Sequence, residues 1–170
     1  MPKHTLSVLV ENRAGVLNRV AGLFSRRGFN IDSLAVGVTE DPEVSRITIV
    51  VNGDDYIVEQ VCKQLNKLID VIKIKKLDDR DSVSRELALI KVGANASTRS
   101  EIAQLVEIFR AKIVDVSKTT LTIEISGDNE KVSAMEDMLK QFGIKEIVRT
   151  GAIAIERGNK YIKASNNDEE

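Results

Sequence analysis

The stretch HTLSVLVENRAGVLNRVAGLFSRRGFNI, residues 4–31, joins an alternating apolar segment to an amphipathic one through a short polar turn carrying a glycine. Leu6, Val8 and Val10 alternate with polar or smaller residues, the two-residue period of a strand covered on one face. Beyond the turn, Leu17, Val20, Ala21 and Phe24 fall on one stripe at helical spacing, and Gly28 stands where a left-handed residue commonly ends a helix. A second strand opens behind Asn30. In the turn Asn12-Arg13-Ala14-Gly15, Asn12 is read as the helix N-cap. Gly15 leaves the first turn bare, where backbone N–H groups lack intrahelical partners and the helix dipole favours an anion. A carboxylate can dock on such a turn.

Further along, the periodicities predict strands over 4–11, 31–39, 45–52 and 70–76 and helices over 14–27 and 55–68, a βαββαβ order. Asp54 is the expected cap of the second helix, whose apolar stripe is Ile57, Val58, Val61, Leu65 and Leu68. Helices with one apolar stripe each cover one face of a four-stranded antiparallel sheet and leave the other face for something else. Residues 78–86, DDRDSVSRE, lose periodicity and gather charge, as a linker does. The same order then returns, with strands over 87–93, 112–117, 120–126 and 145–155 and helices over 99–110 and 129–141. Thr98 followed by Glu101 reads as a capping box for a helix burying Ile102, Leu105, Val106 and Phe109. The last helix buries Val132, Met135, Leu139 and Phe142 and stops at Gly143. The expected fold class is α+β, with two ferredoxin-like βαββαβ units in residues 1–77 and 87–158. A tail over 159–170 is expected to lack fixed structure.

Composition narrows the function classes. Lys and Arg total 25 against 26 Asp and Glu, a net charge of -1, which gives no pull toward nucleic acid or anionic lipid. With 4% aromatic residues and no Trp, there is no aromatic pair for base stacking either. Cys62 is the single cysteine, on an apolar helical stripe, so no intrachain disulfide can form and a reducing compartment fits. No run of 18 apolar residues occurs and the N-terminus has no signal-peptide pattern, so a cytoplasmic location is expected. His4 is the only histidine, and no cysteine pair, His-x-x-x-His or acidic cluster has metal-ligand spacing. Gly15 and Gly22 lack the third glycine of a dinucleotide fingerprint, and no P-loop occurs. Neither catalysis nor a metal is expected of this chain.

The segment ENRAGVLNRVAGLFSRRGFNIDSL, followed by DPEVSRITIVV and QLNKLIDVIKI, resembles the regulatory small subunit of acetolactate synthase (acetohydroxyacid synthase), whose N-terminal half is an ACT domain. The similarity continues through RELALIKV, IFRAKIVDVS and RTGAIAIERG, up to about residue 158. The N-terminal turn alone matches the broad class of ACT amino-acid sensors, and the C-terminal segments narrow it. The resemblance implies a non-catalytic subunit that binds the large catalytic subunit, raises its activity and transmits inhibition by a branched-chain amino acid, with valine the first choice. Thiamine diphosphate, Mg²⁺ and FAD are expected on the large subunit and none of them here.

In such small subunits the effector lies between two chains, held by the turn before the first helix of one and the start of the second strand of the other. On this sequence the resemblance assigns Asn12, Gly15, Val16 and Leu17, facing Asn30 and Ile31, in a homodimer formed through ACT domains. Position 18 is Asn, where the family often has a smaller serine. Arg26, Arg27, Lys73, Lys75 and Lys76 read as solvated surface, with the alternating lysines guarding an exposed strand. Two alternatives differ in class. A free-standing ACT sensor would bind ligand without altering acetolactate synthase, and an enzyme would turn over substrate alone.

Overall fold

The computed structural model describes residues 1–165, and the last five positions of the expected tail lie outside the described residues. Its described residues separate into two compact units, Met1–Val83 with Ile153 onward, and Ser84–Ala152. The first contains β1 (Lys3–Glu11), α1 (Val16–Arg27), β2 (Ile31–Val38), β3 (Val44–Asn52), α2 (Asp55–Asn66) and β4 (Val71–Leu77). All pairs are antiparallel and the sheet order is β2-β3-β1-β4. Leu6, Val8 and Val10 of β1 meet Val20 and Phe24 of α1 and Val58, Val61 and Leu65 of α2 in one core, as the period-2 and helical stripes predict. Asp54 caps α2, its carboxylate accepting from Ile57 N–H at 2.9 Å. The inward stripe of α1 is Val16, Val20, Leu23 and Phe24; Leu17, expected on that stripe, is 44% exposed because the face packed on the sheet is centred on Val20 toward Val16 and Leu23.

The opposite face of this sheet is not left bare by the chain itself. β9 (Ile153–Glu156) lies against β1 and β4, where Ser7 and Leu9 are buried. Arg46 of β3 donates to the Ala154 carbonyl at 2.8 Å, and Lys75 pairs with Glu156 at 2.9 Å. Burial pushes the Arg46 guanidinium down from its ordinary range while Glu156 and Glu40 pull it back up. Of the expected tail, Lys160 pairs with Asp81, and Ile162–Ser165 line a cleft of about 220 Å³ with Leu9, Val44 and Arg46. Lys75 is thus partnered, and the lysine-bearing β4 is the sheet's edge.

The second unit repeats the order with β5 (Ser82–Gly93, its first two residues in the first unit), α3 (Arg99–Ile108), β6 (Lys112–Val116), β7 (Thr120–Gly127), α4 (Asn129–Leu139) and β8 (Ile144–Arg149), in sheet order β6-β7-β5-β8. Its core holds Ile90, Ile102, Leu121, Ile123, Ile125, Val132, Met135 and Leu139. Three expectations are corrected. Residues 78–86 are a 3-10 turn, Asp79–Asp81, and then strand: Asp78 caps the turn at Arg80 N–H, Arg157 N–H reaches the Asp81 carbonyl, and Glu86 is buried against Arg149 at 3.2 Å. These charges serve caps and pairs rather than a solvated linker. The strand expected over 145–155 is two strands, β8 and β9, parted near Gly151, whose φ of +82° is a left-handed bend open to glycine; both pair with β5. Thr98 makes no side-chain cap on α3. Asn95 Oδ1 instead accepts from the N–H groups of Ser97 and Thr98 at 2.9 and 3.0 Å.

Candidate functional site

The turn between β1 and α1 is clamped from both sides. Glu11 N–H donates to the Asp70 carbonyl at 2.9 Å and Asn12 N–H to the Glu43 carbonyl at 2.8 Å, so the turn is tied to the start of β4 and to the β2–β3 hairpin. Asn12 does not cap the helix, contrary to expectation: its Nδ2 donates to the Pro42 carbonyl at 2.9 Å, facing the hairpin. The N-cap position is Gly15, with φ +84° and ψ -9° and no side-chain bond to the helix. A glycine there is required by the left-handed backbone, and it leaves the first-turn N–H groups without a capping side chain. No acidic residue occupies that turn. The positive end of the helix dipole is therefore open to an incoming anion.

Around this bare turn Val16 is buried, while Asn12, Gly15 and Leu17 are exposed. Sequence reading passes over two further residues at the corner. Arg19 Nε donates to Asp70 Oδ2 at 2.6 Å, and Asp70 is only 6% exposed. A Cβ added to Gly15 would meet Arg19 Nη1 at 3.3 Å, so the guanidinium overhangs the glycine. The legible signal was the four-residue spacing, which stacks Gly15 and Arg19 on one helical face with the longer side chain pointing back toward the N-terminus.

Asn30 and Ile31 are not brought to this turn within one chain. Ile31 pairs with Val51 and Lys3 with Asn52 at one end of the sheet, whereas Glu11 pairs with Val44 and Val38 with Ser45 at the other. The eight-residue β2 separates the two ends by roughly 23 Å at a strand's rise per residue. β2 is also an edge strand, and its Val36 and Val38 are 47% and 60% exposed.

The second unit closes its equivalent turn. Asn95 occupies the N–H groups ahead of α3, and Arg99 Nη2 is spent on the Ser117 and Lys118 carbonyls at 2.9 and 2.8 Å. His4 is structural in its contacts, its Nε2 lying 3.1 Å from the Gly53 carbonyl. Burial raises the Cys62 thiol above its ordinary value. Among the described residues no group of His, Cys, Asp and Glu is placed to hold a metal ion, and no helix is long and apolar enough to cross a membrane.

Comparison with known proteins matches both halves of the chain. Residues 6–73 fit a family described as the AHAS small subunit-like ACT domain, and residues 85–158 fit one described as the small subunit of acetolactate synthase. The chain is 60% identical over 158 residues to a probable acetolactate synthase small subunit of Archaeoglobus fulgidus, covering 93% of this chain and 99% of that one. It is 57% identical over 164 residues to the acetolactate synthase small subunit of Mycolicibacterium smegmatis, covering 96% of each. A crystal structure of the Thermotoga maritima acetolactate synthase small subunit superposes with a TM-score of 0.87 at 48% identity, covering 94% of this chain and 100% of that one. With a regulatory ACT domain at its N-terminus and small-subunit sequence through residue 158, the chain belongs to the acetolactate synthase small-subunit family.

Proposed function

We propose that this chain is the non-catalytic regulatory subunit of acetolactate synthase in branched-chain amino acid biosynthesis. In this reading it raises the activity of the large catalytic subunit, which carries thiamine diphosphate, Mg²⁺ and FAD, and conveys feedback inhibition by a branched-chain amino acid, valine first among them. The effector sits where the ACT domains of two copies meet in the cytoplasm.

One observation carries this reading: the residues assigned to the effector lie at opposite ends of the sheet, joined by an edge strand. A second β2 laid antiparallel beside the first brings its Asn30 and Ile31 to the end holding Asn12, Gly15 and Leu17. The first-turn N–H groups then receive the effector carboxylate. The Asn30 amide and a backbone carbonyl accept from its ammonium, and Leu17 with Ile31 lines the side-chain pocket. A pocket of aliphatic walls separates valine from leucine or isoleucine by only about 1–3 kcal/mol. Inhibition requires the ligand to favour one arrangement of the pair, by a coupling of about 1–3 kcal/mol.

Mixing two defective chains tests the shared site. Gly15→Asp fills the anion position with a like charge, and Asn30→Ala removes the facing amide. Each homodimer should bind valine poorly in calorimetry and leave the reconstituted enzyme resistant. A mixed dimer carries one site with both defects and one with neither, so valine binding should return at half the wild-type stoichiometry per mixed dimer, about a quarter overall when the chains reassort at random. No recovery on mixing, or wild-type inhibition of enzyme carrying Gly15→Asp, would remove the proposal.

A further inference from the structure

We infer that Arg19 is the residue that distinguishes a carboxylate from a neutral group at the effector site, held in place for that task by Asp70; this rests on the effector reading above. The guanidinium is divided between two neighbours. Its Nε edge is committed to Asp70 at 2.6 Å, and its Nη1 hangs over Gly15, 3.3 Å from where a Cβ would stand. A side chain at Gly15 would press on this guanidinium, beside the uncapped first turn of the helix. Arg19 is half exposed and Asp70 almost fully buried, so the carboxylate fixes the arginine rather than the reverse. Asp70 is itself anchored, its carbonyl accepting from Glu11 N–H at the end of β1.

A helix N-terminus alone attracts anions weakly, since its partial charge is only about half an elementary charge and is screened at the surface. A guanidinium adds a full charge with directed donors, and a charge-assisted hydrogen bond discriminates its ionised acceptor by about 10- to 100-fold. Pre-orientation by Asp70 spares part of the rotamer entropy that a free arginine would lose on binding. Counted from the helix cap, the position of Arg19 is taken in the second unit by the buried Ile102, and the turn ahead of that helix is filled by Asn95. An exposed cation over a bare glycine turn is thus a property of the first unit's turn and not of its repeat.

The test compares acids with amides. The full-length wild-type chain is titrated calorimetrically with L-valine, L-leucine and L-isoleucine and with the corresponding amino-acid amides, which keep the ammonium and side chain but lose the negative charge. Wild type should prefer the acid by at least about tenfold. Arg19→Gln should lower affinity for the acid about 10- to 100-fold while changing the amide little, collapsing the ratio. A purely structural role for Arg19 would weaken acid and amide alike and leave the ratio intact, and that result overturns the inference while the effector reading stands. If the wild-type chain binds none of the three acids, the effector reading itself falls. Because Arg19→Gln strands the buried Asp70, the double variant Arg19→Gln/Asp70→Asn supplies a neutral pair on which the same ratio is measured if the single variant does not fold. Asp70→Asn alone should keep the preference for acids, since the charge on Arg19 remains.

Discussion

Two glycines seven residues apart, one capping the first helix and one inside it, should respond to alanine in opposite directions. Gly22 lies in the helix interior, and a Cβ there would meet only Arg26 Nη1 at 3.6 Å, ordinary contact. Gly22→Ala should therefore stabilise the first unit by about 0.5–1 kcal/mol through reduced freedom of the unfolded chain. At Gly15 the added methyl meets Arg19 Nη1 at 3.3 Å, a flexible tip that can move, so sterics cost little. The backbone decides the sign: φ is +84°, and an L-alanine there costs about 1–2 kcal/mol. The two variants should differ by about 1.5–3 kcal/mol, a gap of 1 M or more in urea midpoint at an m-value of about 1–1.5 kcal/mol/M. Tyrosine fluorescence suits the measurement, because the chain has no Trp and both tyrosines, Tyr56 and Tyr161, belong to the first unit. Gly15→Ala as stable as wild type would mean that the left-handed turn, and with it the uncapped helix end, is misplaced.

Three further outcomes are expected. Val36→Lys puts a charge on the exposed edge strand proposed to pair with its copy, so sedimentation should show a monomer that retains its fold by circular dichroism; an unchanged dimer would place the interface elsewhere. Arg149→Met leaves the buried Glu86 unpaired and removes the link to Glu136, and should destabilise the second unit by about 3 kcal/mol, read as faster amide exchange along β5 and β8. Burial raises the Cys62 thiol, so less thiolate is present at pH 8 than in a free cysteine. Ellman reagent should therefore react more slowly than with glutathione, speeding up as pH rises and on adding urea, whereas immediate full reaction in native buffer would contradict the packing of α2.

Periodicity carried most of the architecture. Alternation in β1 and β7 and the stripes of α2 and α4 are local signals that burial merely ratifies, and the βαββαβ order follows from them. Most of the departures arise where a side chain's partner is distant in sequence. Glu86 looked like linker because its partner, Arg149, lies 63 residues away in sequence, and Asn12 looked like a cap because the Pro42 carbonyl that claims its amide is 30 residues downstream. Leu17 lies on the margin of the helical stripe, and local spacing does not say which margin the sheet covers: Leu23 is buried and Leu17 is not. At the candidate site the glycine and the strand-to-helix turn were legible locally. Arg19 acquires its meaning only through Asp70, at the start of a strand 51 residues on.

The return of β9 to the first sheet makes that unit discontinuous in sequence: residues 1–83 supply its helices and most strands, and residues from Ile153 onward supply its second covering. During synthesis the N-terminal unit can collapse on its helical side early, but Ser7, Leu9 and Arg46 lack their cover until the second unit and the segment from Ile153 have been made. Covering of that face therefore waits for a segment made after the whole of the second unit, and a product that stops short of Ile153 leaves it without β9.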